Sequence, residues 1–175
     1  MDHNAFFDAL KAGDIAPLYL LEGTEEYIKS QALARLCQLT LPAGMEAMNL
    51  TELANPTADE LIAAAETLPF LSERRVVIVR ECDALTTAKK TDDTKADTIA
   101  AYLGKQSPAT CLIFTVKGKA DARKKLYLAL KKQARMVDFS PMGDGEAANW
   151  AIRSMRALGK RMELTTAQKL IFNVG

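Results

Sequence analysis

The class of the fold is decided by residues 18–30, which read LYLLEGTEEYIKS. The apolar first half predicts a buried strand, and the second half predicts the start of an amphipathic helix. Compared with the phosphate-loop pattern G-x-x-x-x-G-K-[ST], Gly23, Lys29 and Ser30 match in identity and in spacing. The second glycine of that pattern is replaced by Ile28. The stretch therefore has the context of a phosphate loop, a strand before it and a helix after it, without the complete motif.

The replacement of the second glycine predicts a phosphate loop that does not bind ATP. Such a loop needs glycine where its backbone adopts positive φ, and a β-branched residue such as Ile28 is an outlier there. Glu25 and Glu26 also place negative charges where a polyphosphate would lie. We favour a degenerate phosphate loop, and the alternative is a coincidental strand–turn–helix.

A second defect lies in the strand that would hold a catalytic magnesium ion. In active ATPases of this kind, an apolar strand ends in acidic residues that bind the metal. Residues 76–79 predict such a strand, but Arg80 stands at the expected position of the acid, followed by Glu81. We interpret Glu81 as a solvated residue at the strand end rather than a base. The two defects agree, and we predict no catalytic residue, no cofactor and no metal ion.

The rest of the chain alternates between apolar runs that predict strands and amphipathic stretches that predict helices. Strands are predicted at residues 17–21, 47–53, 76–79, 110–116 and 136–139. A capping box at Thr57 and Glu60 opens a helix, and Pro69 ends it. The alternation indicates an α/β fold with a mostly parallel sheet covered by helices.

Polar segments and a linker predict the loops of the first domain and its boundary with the second. Residues 86–97 are predicted to form a polar loop, and Asp121 is predicted to cap a basic helix at 122–132. Residues 1–140 are predicted to form the α/β domain. Residues 141–175 begin with a proline- and glycine-rich linker and continue in a purely helical pattern. We predict that this second part is an incomplete helical domain.

Composition excludes several classes of protein. The net charge of +1 over 175 residues means that any contact with nucleic acid needs a local basic patch. The apolar runs fall short of the roughly 20 residues that span a bilayer, and the N-terminus lacks a secretory pattern. Cys37, Cys82 and Cys111 are widely spaced, which favours buried thiols in a reducing cytoplasm. A single histidine, His3, can build neither a zinc site nor a Ser-His-Asp triad.

Three stretches carry a family likeness: LYLLEG at residues 18–23, TLPFLSERR at 67–75 and DARKKL at 121–126. With these stretches the chain resembles the delta-subunit family of bacterial DNA polymerase III. The segment LPFLSERR before an apolar strand is the most specific match, and Trp150 and Gly159 resemble the second domain of that family. The resemblance runs over essentially the whole chain.

The resemblance implies an AAA+-type α/β domain that does not hydrolyse ATP, followed by a helical lid domain that is cut short here. It implies that the C-terminal collar domain is absent. The implied function is that of a non-catalytic clamp-loader subunit, which binds and opens the sliding DNA clamp during DNA replication. The resemblance further implies that this subunit is part of the polymerase III holoenzyme, a DNA-directed DNA polymerase (nucleotidyltransferase) complex, and that the chain itself has no ATPase activity. The implied partners are the beta sliding clamp, the gamma/tau and delta prime subunits and primed DNA, all in the cytoplasm.

The resemblance also implies which residues bind the clamp. In the family, apolar residues at the end of the helix before the third strand enter a pocket on the clamp, and here they match Leu68, Phe70 and Leu71. Because Pro69 ends the helix, Leu68 and Phe70 are predicted to lie on a turn rather than on a regular buried helix face. An aromatic residue beside leucines is typical of interface hot spots. The alternative is that Phe70 folds back to cover the edge of the sheet.

A basic segment leaves other functions open. Residues 117–135 contain eight Lys or Arg residues and a single acid, Asp121. Phosphates attract such a segment, so it is either a DNA-facing stripe or a solvated helix face. The DNA-facing candidates are Lys119, Arg123, Lys124 and Lys125. The alternative functions are therefore an active AAA+ ATPase and a single-stranded nucleic-acid binding module.

Overall fold

The structure, a computed structural model, describes residues 1–87 and 93–174. The chain forms two compact units, Met1–Ser140 and Pro141–Gly175. Among the described residues, no helix is both long enough and apolar enough to cross a membrane.

The first unit is built on a parallel sheet. Its strands are β1 Leu18–Gly23, β2 Leu50–Ala54, β3 Arg75–Arg80, β4 Thr110–Lys117 and β5 Arg135–Asp138. They lie in the order β2-β3-β4-β1-β5, and each neighbouring pair is parallel. The predicted α/β class with a parallel five-stranded sheet is confirmed.

Helices connect the strands and cover the sheet. They are α1 His3–Lys11, α2 Glu26–Thr40, α3 Glu46–Asn49, α4 Ala58–Glu66, α5 Asp93–Leu103 and α6 Lys125–Gln133. The capping box predicted for α4 is present: Thr57 Oγ1 accepts from the Glu60 N–H at 3.2 Å, and Glu60 Oε2 accepts from the Thr57 N–H at 2.8 Å. These two bonds satisfy donors that the first turn of a helix leaves unpaired.

Both faces of the sheet are buried, which explains why its central strands are almost continuously apolar. On one face Leu20, Val77 and Leu112 belong to a cluster that includes residues of α4, α5 and α6. Elsewhere in the core, the Phe6 ring of α1 packs edge-on against Tyr19, with 5.5 Å between ring centroids. The sheet is therefore a rigid base for the loops that follow its strands.

The strand predicted at residues 47–53 begins later than expected. Its first residues form the short helix α3, and β2 starts at Leu50. The turn is closed by the backbone N–H of Asn49, which donates to the Met45 carbonyl at 3.1 Å. The apolar residues of this segment looked strand-like, but local backbone bonds select a helical turn.

The loop predicted at residues 86–97 is also shorter than expected. Part of it, residues 88–92, lies outside the described residues, and α5 begins at Asp93. Ala96, Ile99 and Leu103 are buried at helical spacing along α5. Packing of this face on the core therefore extends the helix into a segment whose composition is polar.

The predicted N-cap at Asp121 is wrong, because α6 begins at Lys125. Asp121 Oδ1 accepts from the backbone N–H of Arg123 at 3.0 Å, and the Asp121 carbonyl accepts from the N–H of Lys124 at 3.0 Å. An aspartate that bonds the backbone two residues ahead forms a turn. The carboxylate is used in that turn, and the helix starts after it.

The second unit is a pair of packed helices, α7 Asp144–Ala157 and α8 Leu164–Val174. Gly159 lies in their connection with φ of +72°, a conformation that glycine adopts without steric strain. Trp150 is half-buried. Leu158 is exposed, and it lies directly after the last residue of α7.

Candidate functional site

The segment that resembles a phosphate loop passes within a few residues from strand to helix. β1 ends at Gly23 and α2 begins at Glu26, so Ile28, Lys29 and Ser30 are already helical residues. Ile28 is buried in the core and does not have positive φ. The backbone N–H groups that would form a phosphate nest are therefore part of the first turns of α2.

The ammonium group of Lys29 is fully used inside the protein. Its side chain is 3% exposed. The Nζ atom donates to the Gly23 carbonyl at 2.7 Å, the Val116 carbonyl at 2.9 Å and Glu26 Oε1 at 2.7 Å. An ammonium group has three N–H donors, and these acceptors match that number. Lys29 thus ties the carboxyl ends of β1 and β4 together, at the place where a phosphate-loop lysine would meet phosphate.

The backbone of Phe139 closes over the same segment. Gly23 has φ of +126°, and a Cβ atom at this position would lie 2.2 Å from the Phe139 carbonyl group. The Phe139 N–H donates to the Glu22 carbonyl at 2.6 Å, and the Glu25 N–H donates to the Phe139 carbonyl at 2.9 Å. The close approach of the Phe139 backbone therefore requires a glycine at position 23, because any other residue would place its Cβ atom against the Phe139 carbonyl group.

At the carboxyl end of β3, the described acidic residues are either paired with a basic side chain or exposed. Arg80 Nε donates to Glu52 Oε2 at 2.7 Å, across to the edge strand β2. Glu81 is exposed and has φ of +54°. Asp83 bonds to Lys95 Nζ at 2.7 Å. Within the described residues, no group of three His, Cys, Asp or Glu side chains is placed to hold a metal ion.

The second candidate site is the loop that follows α4. We call residues 67–74 the anchor loop. Leu68 is 79% exposed, Phe70 is 53% exposed and Leu71 is 73% exposed. Phe70 is therefore not part of the buried core, and roughly half of its surface is open to solvent.

Buried polar groups hold the anchor loop in place. Asn49 is fully buried; its Oδ1 atom accepts from the Phe70 N–H at 2.7 Å and its Nδ2 atom donates to the Phe70 carbonyl at 2.9 Å. The buried guanidinium of Arg75 donates to the Thr67 carbonyl at 3.1 Å and to Thr51 Oγ1 at 2.8 Å. Burial lowers the pKa of Arg75 from its ordinary value. The backbone is fixed while the apolar side chains face outwards.

The exposed apolar surface continues beside the anchor loop. Leu71 has φ of +50°, an uncommon conformation for a residue other than glycine. A shallow groove of about 620 Å³ runs between the end of α2 and Leu71, and its apolar lining includes Leu39, Leu41 and Pro42. Thr40, Ser72 and Glu73 also line the groove, so its surface is mixed in polarity, and the exposed apolar side chains at this place are Leu68, Phe70 and Leu71 of the anchor loop together with Leu39.

Comparison with known proteins identifies the family. A family model described as "DNA polymerase III, delta subunit" matches residues 19–140. DNA polymerase III subunit delta of Bacillus subtilis (strain 168) is 32% identical over 171 residues, which cover 95% of this chain and 49% of that protein. The chain belongs to the DNA polymerase III delta subunit family.

Solved structures agree with membership of the delta family. The Bacillus subtilis DNA clamp loader delta protein matches with a TM-score of 0.82 and 29% identity, over 97% of this chain and 51% of that one. A DNA polymerase III gamma subunit-related protein from Thermotoga maritima matches with a TM-score of 0.55 and 14% identity, over 94% and 57% of the two chains. The second comparison shows a shared fold. The chain spans about half the length of the delta relatives it matches.

The predicted DNA-facing residues of this delta-family chain do not form one free stripe. Lys119 Nζ lies 2.6 Å from Asp138 Oδ2. Arg123 Nε lies 3.0 Å from Asp121 Oδ1, and this bond lowers the pKa of Asp121 to about 2. Lys125 Nζ lies 3.0 Å from Asp97 Oδ2, and Lys124 is the half-buried N-cap residue of α6. Paired charges of this kind present less positive potential than their number in the sequence suggests.

The sequence did not reveal the residues that support the anchor loop. The sequence pattern places Asn49 in the strand predicted at residues 47–53, and it gives Arg75 no role beyond the family segment at 67–75. The available signal was a single amide residue between apolar neighbours, Met48 and Leu50. A buried polar side chain needs partners, but the sequence does not say that this partner is Phe70.

Proposed function

We propose that this chain is a non-catalytic clamp-loader subunit that binds the sliding DNA clamp through Leu68, Phe70 and Leu71. The observation that supports it is a fixed loop with three exposed, large apolar side chains in a chain of the delta family. Aromatic and aliphatic anchors held in a pocket carry most of the energy in many protein interfaces. Membership of the family selects the sliding clamp as the partner of this surface.

The proposed mechanism of clamp opening is mechanical. A subunit that binds the open ring more tightly than the closed ring shifts the equilibrium towards opening, and only by that difference in affinity. The degenerate phosphate loop leaves ATP binding to sister subunits, which would expose or hide this surface. The partner subunits in the proposed loader are of the gamma/tau and delta prime type. In this proposal the assembled loader holds primed DNA and acts in the cytoplasm.

The proposal is tested by titrating the chain with the beta sliding clamp from the same genome. We expect saturable binding with a dissociation constant below about 10 µM, without ATP and with little dependence on salt. The absence of binding by folded chain would contradict the proposal. Thermal stabilisation by Mg-ATP would instead favour the ATPase, and salt-sensitive binding of an oligonucleotide alone would favour the nucleic-acid module.

A charge reversal tests whether the clamp binds the anchor loop or the basic segment at residues 117–135. Changing Lys124 and Lys125 to glutamate is expected to alter the clamp dissociation constant by less than about threefold at physiological salt. The reason is that these residues lie at the start of α6, outside the anchor loop. Clamp affinity is measured at low and high salt for the unmodified chain and for the charge-reversal variant. A large loss that persists at high salt would place the clamp interface on α6 instead.

A further inference from the structure

We infer that Asn49 is a positioning residue for clamp binding, because it fixes the backbone from which the Phe70 side chain projects. The inference rests on the proposed function and adds a residue that does not itself touch the partner. Asn49 is fully buried in α3, yet it bonds to a residue 21 positions ahead whose side chain is half exposed.

The side-chain amide of Asn49 bonds both to the N–H and to the carbonyl group of Phe70. Its Oδ1 atom accepts from the Phe70 N–H at 2.7 Å, and its Nδ2 atom donates to the Phe70 carbonyl at 2.9 Å. The same Nδ2 atom donates to the Met45 carbonyl at 3.1 Å, so both of its N–H groups are used. A side-chain amide that binds one residue at two points fixes both the position and the orientation of that peptide segment.

The rest of the anchor loop offers Phe70 little other support. Pro69 has no N–H group, and Leu71 has positive φ. Arg75 bonds to the start of the loop at Thr67, and Ser72 Oγ bonds to the Arg74 carbonyl at its end. Within the described residues, Asn49 makes the hydrogen bonds to the backbone of residues 68–71. Without it, the apex of the loop would be held only at its two ends.

A fixed loop binds more tightly than a mobile one of the same composition. Association must otherwise order the loop, and the entropy lost in doing so weakens binding. Because Asn49 orders Phe70 before the partner arrives, its removal should weaken clamp binding even though every contacting side chain remains. The effect should depend on the presence of the Phe70 ring.

The test combines Asn49→Leu, Phe70→Ala and the double variant. Asn49→Leu keeps the branching and the number of heavy atoms of the side chain and removes its hydrogen bonds. We expect faster hydrogen exchange at the Phe70 amide and an approximately tenfold weaker clamp affinity. In the Phe70→Ala background, the same change should alter affinity by less than about twofold.

A matched control separates positioning from general destabilisation. Val137→Ala removes methyl groups from a buried residue of β5, at the opposite edge of the sheet from β2. It is expected to lower the urea midpoint without changing clamp affinity or exchange at Phe70. If Asn49→Leu does not fold, Asn49→Ala is used; this smaller side chain also removes the hydrogen bonds to Phe70, and it should show the same faster exchange at the Phe70 amide and a weaker clamp affinity.

The possible outcomes distinguish the inference from the proposed function. If Phe70→Ala leaves clamp affinity unchanged, the proposed anchor itself is wrong. If Phe70→Ala weakens binding but Asn49→Leu does not, despite faster exchange at Phe70, the positioning role is wrong. Equal effects of Asn49→Leu and Val137→Ala on affinity would also overturn it, as would an undiminished effect of Asn49→Leu when Phe70 is absent.

Discussion

Replacing Phe70 with alanine is expected to weaken clamp binding by roughly 30- to 1000-fold, or about 2–4 kcal/mol, which is typical of an aromatic interface anchor. The free energy of unfolding should change by less than about 0.5 kcal/mol, because Phe70 is 53% exposed in the free chain. A buried phenylalanine would behave differently, since its truncation costs about 3–5 kcal/mol of stability. Clamp affinity and urea midpoint, measured on the same preparation, separate the two cases.

Phe172 provides the matched control for this prediction. It is also an exposed phenylalanine, at 89% exposure, but it lies in α8 of the second unit. Phe172→Ala should leave both clamp affinity and stability nearly unchanged. If Phe70→Ala instead lowers the urea midpoint strongly while the folded fraction still binds the clamp, Phe70 is a structural residue and the anchor lies elsewhere.

Much of the fold was predictable because local and global signals agree along the chain. Residues 76–79 are apolar at every position, and the structure places them in a strand covered on both faces. The capping box at Thr57 and Glu60 depends only on neighbours in sequence, and both of its hydrogen bonds are formed. Such features need no knowledge of distant contacts.

The features that were missed depend on partners far away in the sequence or on the direction of a side chain. The role of Asn49 is set by Phe70, which no local pattern connects to it. Asp121 could bond to the first turn of a helix or to its own turn, and the sequence does not distinguish these choices. Lys29 keeps its place in the motif, but a motif does not tell whether its ammonium group points towards a ligand or towards carbonyl groups of the protein.

Replacing Lys29 with methionine is expected to lower the free energy of unfolding by about 2–4 kcal/mol, because buried carbonyl groups would lose their donor. The groups concerned are the carbonyls of Gly23 and Val116, at the ends of β1 and β4. In an active phosphate loop the lysine serves the nucleotide, so its loss would abolish ATP binding and spare the fold. The same substitution therefore gives opposite results for a structural lysine and for a catalytic one.

The measurement is urea unfolding of both proteins with and without Mg-ATP, together with calorimetric titration of the unmodified chain. We expect no saturable heat with Mg-ATP and no shift of the urea midpoint. The reason is that the Lys29 ammonium group is bonded to the Gly23 carbonyl, and the Phe139 backbone packs against Gly23 where a phosphate would lie. Lys11→Met is the control: its ammonium group pairs with Asp8 at 2.8 Å on the surface, with 72% of the side chain exposed. Loss of such a pair should change stability by less than about 1 kcal/mol. A micromolar dissociation constant for Mg-ATP that disappears in Lys29→Met, with stability unchanged, would establish a working nucleotide site and contradict the non-catalytic function.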